Sequence, residues 1–92
     1  MKDPTIIANK MLKQKFPIGK LYQINFGKNY KTFEACINDN YRYFECDEEV
    51  FLLLDISVQD HNLKYFKLEA LFSTGERGEI FYFNEYNLKL IQ

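Results

Sequence analysis

From residue 20 onward, apolar and polar residues alternate with a period of two. That spacing turns one side of a β-strand into a core and the other into water. Residues 20–26 set Tyr22, Ile24 and Phe26 on one side, and Gly27-Lys28-Asn29 ends the run. Residues 32–37 align Phe33, Ala35 and Ile37, and Asn38-Asp39-Asn40 is a turn cluster that lets residues 41–46 return as a hairpin partner. The longest apolar face is Val50, Leu52, Leu54, Ile56 and Val58, with Asp55, Ser57 and Gln59 opposite it. Phe51 and Leu53 are also apolar, so the first half of this strand reads as covered on both sides. After a turn at Gln59-Asp60-His61-Asn62, residues 64–72 point Phe66, Leu68, Ala70 and Phe72 inward.

The first fifteen residues follow a different period. Asp3 and Pro4 suit the cap and first position of a helix over residues 3–15, and Pro17 and Gly19 stop it. Ile7, Met11 and Leu12, with Ile6 beside them, form its apolar face, while Lys10, Lys13 and Lys15 take the rest. Three turns are marginal alone, so this helix must pack on something, and the strand over residues 50–59 is the obvious surface.

The last third of the chain adds order to the list of strands. Ser73-Thr74-Gly75-Glu76 supplies turn chemistry, with Gly75 free to take positive φ. Asn84-Glu85-Tyr86-Asn87 fits a single 3₁₀ turn before a brief closing strand. Hairpin, 3₁₀ turn, final strand: this order resembles the C-terminal end of an SH3-like small β-barrel. The resemblance implies a mainly β, α+β domain spanning residues 1–92, with five to six antiparallel barrel strands over residues 20–92 and one N-terminal α-helix. Residues 27–49 would then be a long excursion between core strands. In SH3 domains, acidic residues of the corresponding loop meet basic ligand side chains. The ALYDY-type motif and paired tryptophans are missing here, so proline-rich peptide recognition is not implied. The fold itself serves many functions.

Composition narrows the classes. At 92 residues the chain makes one small domain with little volume to spare for a deep cleft. Aromatic content of 17%, from nine Phe and seven Tyr with no Trp, places rings both in the core and in a contact patch. The formal net charge of −1 hides an asymmetry: residues 1–31 carry seven lysines against one acid, Asp3, whereas residues 32–92 carry five basic side chains against twelve acidic ones. A basic arm on an acidic body suits docking on itself, on a second copy or on another protein better than binding phosphate. Ten Lys against two Arg, with abundant Asn, Ile, Phe and Tyr, is the bias of an AT-rich coding sequence, which points to a low-GC bacterium or one of its phages. Two cysteines without CxxC spacing, no secretory h-region and no apolar run of membrane-spanning length make a reduced, cytoplasmic setting the expectation, with no membrane contact.

No constellation carries chemistry. His61 has only Asp60 beside it and no nucleophile at a usable spacing. Cys36 and Cys46 read as small buried hydrophobes. Gly75-Glu76-Arg77-Gly78 lacks the spacing of phosphate-binding loops. Asp47-Glu48-Glu49 lacks the alternation of a calcium loop and reads as a solvated run or an acidic recognition edge. No enzyme, cofactor or metal site is expected. The leading expectation is a protein-binding or assembly module whose partner, itself or a larger host or viral protein, meets Tyr41, Tyr43, Asp47, Glu48 and Glu49 on one surface and Lys10, Lys13 and Lys15 on the other. The alternative is an RNA- or single-stranded-DNA-binding barrel that stacks bases on Tyr22, Tyr30, Tyr41, Tyr43 and Tyr65, with Lys20, Lys28 and Lys31 on phosphates.

Overall fold

The alternating segments become seven antiparallel strands of one curled sheet in the computed structural model, which describes residues 4–59, 62–82 and 85–92. The elements run α1 (Pro4–Lys15), β1 (Leu21–Ile24), β2 (Thr32–Ile37), β3 (Asn40–Glu45), β4 (Phe51–Gln59), β5 (Asn62–Leu71), β6 (Arg77–Tyr82), a 3₁₀ turn (Glu85–Asn87) and β7 (Leu88–Leu90). Their order across the sheet is β3-β2-β6-β5-β4-β1-β7. The fold is mainly β with one N-terminal helix, a half-barrel compatible with a small barrel. Seven strands stand where five to six barrel strands are expected, because the hairpin of the excursion is part of the sheet. The hairpin joins with Ala35 of β2 opposite Ile80 of β6. The expected Asp3 cap, the Asp60–His61 turn and Asn84 lie outside the described residues.

β4 is where periodicity alone misleads. Leu52 faces Leu71 and Leu53 faces Ala70, but the next partners are Asp55 and Glu69, so Leu54 is an extra residue on the β4 side. A bulge of this kind shifts every following side chain to the opposite face. Upstream of it, Phe51 and Leu53 are the buried residues; downstream, Ile56 and Val58 are. The expected face of Val50, Leu52, Leu54, Ile56 and Val58 is therefore right only in its second half. Because both phases of Val50–Leu54 are apolar, hydropathy could not choose between them.

The bulge also divides the other edge of β4. β1 pairs with Phe51 and Leu52, extended by reciprocal bonds of Leu53 with Gly19 and Lys20. It reaches no further, and α1 takes over the downstream half. The Asn9 Oδ1 accepts the Val58 N–H at 2.8 Å, so a helix side chain occupies the place of a strand neighbour. Leu12 and Phe16, one turn apart, are buried, with Ala8 packed beside them. This corrects the expected helix face. Of its members only Leu12 is buried, while Ile6 and Met11 are 65% and 64% exposed and Ile7 is also exposed.

Hairpin chemistry fixes the rest. Gly75 has φ of 88° in the β5–β6 turn, as its position predicts. Gly78 does a different job. A Cβ there would sit 2.7 Å from the Cys36 carbonyl oxygen, so this glycine admits the close passage of β2 over β6. Tyr22 is fully buried and donates its hydroxyl to the Pro17 carbonyl at 2.9 Å. Burial pushes its phenol above the ordinary pKa.

The bulge gives a direct test. Leu53→Ala is expected to lower unfolding free energy by roughly 2–5 kcal/mol, whereas Leu54→Ala, on the half-buried bulge, costs about 1 kcal/mol or less. Urea denaturation of the two variants checks the order, and equal losses would place the bulge elsewhere.

Candidate partner-binding surface

β3 forms one edge of the sheet and is the least covered of the strands with described burial. Its sequence explains both facts. The Asn38–Asp39 loop has both residues at positive φ, 52° and 63°, the two-residue geometry that matches strand twist. It returns β3 along β2 from Asn40 opposite Ile37 to Glu45 opposite Thr32. Only Phe44 turns inward far enough to join the core. Its ring stacks on Phe72 at 4.5 Å and on Phe33 at 5.5 Å, and Phe51 completes the aromatic group. Arg42, on the same face as Phe44, pairs with Glu76 of the β5–β6 turn.

Tyr41, Tyr43 and Glu45 point to the other face. Tyr41 and Tyr43 are 65% and 71% exposed. Tyr43 lies directly across from Glu34, and a hydrogen bond to that carboxylate, together with its charge, raises the phenol above its usual value. Main-chain groups follow the same alternation. The Cys46 N–H bonds the Lys31 carbonyl at 2.8 Å, which fixes the even-numbered residues of β3 as those that bond toward β2. The N–H and C=O of Tyr41 and Tyr43 therefore face outward along the edge, as does the N–H of Glu45.

The acidic cluster splits. Asp47 and Glu48 are exposed beside the end of β3. Glu49 is not available to a partner: a turn in which the Glu48 and Glu49 N–H groups both bond the Glu45 carbonyl swings its side chain inward, leaving it 4% exposed. Ser73 donates to Glu49 Oε1 at 2.9 Å, and Oε2 has no hydrogen-bond partner among the described residues. From the sequence, three consecutive acids read as one solvated run or one acidic recognition edge. A tight turn gives its third residue an independent direction, and that signal is not visible in composition.

The lysine surface is also redistributed. Lys13 pairs with Asp55 at 3.5 Å and Lys15 with Glu85 at 2.9 Å, so both help dock α1 on its own sheet. Lys15 also lies over the Tyr86 ring at 5.6 Å. Lys10 is exposed, with no ion-pair partner among the described residues. Of the tyrosines proposed for base stacking, Tyr22 is core and unavailable, while Tyr30 is exposed on a loop. Tyr30 and Lys31 line an open groove of about 290 Å³ whose other wall is Glu45, Cys46 and Asp47. The Cys46 thiol is pushed up by burial first, then by Asp47 and Glu45, which keeps it protonated. Among the described residues, no three His, Cys, Asp or Glu side chains are grouped to hold a metal, and no helix is long and apolar enough to cross a membrane. Comparison with family models, curated proteins and solved structures finds no match.

Burying Glu49 beside one hydroxyl has a measurable cost. Ser73→Ala is expected to destabilise by about 1–3 kcal/mol because it leaves both carboxylate oxygens unpaired. Glu49→Met, which fills the same space without charge, is expected to match or exceed the wild-type melting temperature. A large loss in Glu49→Met would show that the carboxylate has a partner of its own in solution.

Proposed function

We propose that this domain is a non-enzymatic protein-binding module whose contact surface is the β3 edge with Tyr41 and Tyr43. The observation that carries the reading is an edge strand left uncovered among the described residues, with outward main-chain groups and two exposed tyrosine rings side by side on one face. Such an edge offers hydrogen bonds to another strand, and tyrosine rings add area with a polar tip. Asp47 and Glu48 extend the surface with negative charge, which favours a protein partner carrying Lys or Arg over a nucleic-acid backbone. The residue bias of the chain supports a setting in a low-GC bacterium or one of its phages, as a virion-associated, accessory or host-inhibiting protein in the cytoplasm.

Replacing Tyr41 and Tyr43 together with Ser is the test. Partners captured by the wild-type protein and identified by mass spectrometry are expected to be lost with the double variant, while its melting temperature stays within about 2 °C, as exposed substitutions allow. Capture that survives the substitutions would move the contact elsewhere. Salt-sensitive binding of a labelled random oligonucleotide, with no protein captured, would replace this reading by nucleic-acid recognition.

A further inference from the structure

The two open edges of the sheet are unequal. β7 is three residues long with Lys89 at its centre, the kind of short, lysine-bearing strand that resists further pairing. β3 has six residues, no proline and no lysine. The register of β2 and β3 has no break along its length, so no bulge twists the edge away. Its outward side is left ready for another strand.

We infer that the occupant of this edge is a second copy of the chain, paired antiparallel through β3 about a two-fold axis at Tyr43. The inference rests on the reading of β3 as the binding edge and adds the partner. A two-fold contact must be self-complementary, so each register of β3 against itself can be checked for what it brings together. Centring on Arg42 sets two guanidinium groups opposite each other, which is repulsive. Centring on Tyr43 removes that conflict and uses the whole run from Tyr41 to Glu45. Tyr43 then meets Tyr43, Tyr41 meets Glu45, and Arg42 meets Phe44. The first is a ring pair, the second a phenol beside a carboxylate, and the third a cation beside an aromatic ring, as Arg42 already is within one chain at 5.7 Å.

Main-chain groups agree with this register. Tyr43 N–H and C=O exchange bonds with their equivalents, and each Glu45 N–H reaches the Tyr41 carbonyl of the other copy. The Glu45 carbonyl already accepts from the Glu48 and Glu49 N–H groups, so the Tyr41 N–H that faces it in this register gains the weakest bond of the set. Because the axis is perpendicular to the sheet, the tyrosines of both copies share one face, making a continuous sheet with a four-tyrosine patch at its centre. Contact through a single strand pair is small, so the dimer is expected to dissociate on the order of micromolar concentration.

Sedimentation equilibrium across a dilution series tests the inference. Wild-type protein is expected to shift from dimer to monomer on dilution. Tyr43→Lys places like charges face to face at the axis and is expected to be monomeric throughout. Tyr41→Lys, opposite Glu45 of the other copy, is expected to remain dimeric. Tyr43→Pro removes an outward N–H and no β2 bond, so it is expected to fold normally and be monomeric. Melting curves establish that each variant is folded, and Tyr43→Lys alone suffices if the proline variant does not fold. A wild-type monomer at every concentration overturns self-pairing. If the tyrosine surface of that monomer still captures another protein, the binding reading stands without it. A Tyr43→Lys dimer, or loss of association in Tyr41→Lys but not Tyr43→Lys, overturns the register.

Discussion

β4 has two edges to satisfy, and the rest of the molecule is arranged around the second. One side pairs with β5 along nearly its whole length. On the other, β1 serves the residues before Leu54 and α1 serves Val58 through Asn9. A buried strand with unpaired N–H groups would be costly, so something polar had to lie along the downstream half. The bulge makes this division workable. It turns Phe51 and Leu53 toward the core before the break and Ile56 and Val58 after it.

At the other end, stacked aromatic rings replace a helix as the closing element. Phe33, Phe44, Phe51 and Phe72 come from four different segments, and their contacts hold the β2–β3 hairpin to the main sheet. Glu49 is buried nearby with one hydroxyl partner, an arrangement poorer than the core around it. On the β3 side the hairpin is thus anchored by Phe44 and by the Arg42–Glu76 pair, and the opposite face of that strand is left for contact.

How much of this is legible in the sequence depends on range. Turn residues speak for themselves: Gly75 and the Asn38–Asp39 pair stand where their residue types place them. Strands with clean alternation, such as the stretch carrying Phe66, Leu68 and Ala70, are read correctly because Lys67 and Glu69 mark the other phase as polar. Legibility fails where two phases are equally apolar, as at Val50–Leu54, and where a helix has more apolar residues than it buries. Ile7 and Met11 look as suitable as Ala8 and Leu12; only the position of β4 decides. The exposure of Tyr41 and Tyr43 follows from alternation around Phe44. The inward swing of Glu49 follows from a turn whose geometry no local pattern announces.

The single hydrogen bond from Val58 to Asn9 separates two events that a melting curve merges. The ion pairs of α1 are exposed and weak, so the helix is held mainly by Leu12, Phe16 and this bond. When α1 lifts, the Val58 amide becomes accessible to solvent while the β4–β5 ladder remains closed. Its hydrogen exchange therefore reports the detachment of one helix, and amides inside the ladder report opening of the sheet. The protection of the Val58 amide relative to a free amide gives the free energy with which the N-terminal arm holds to the body.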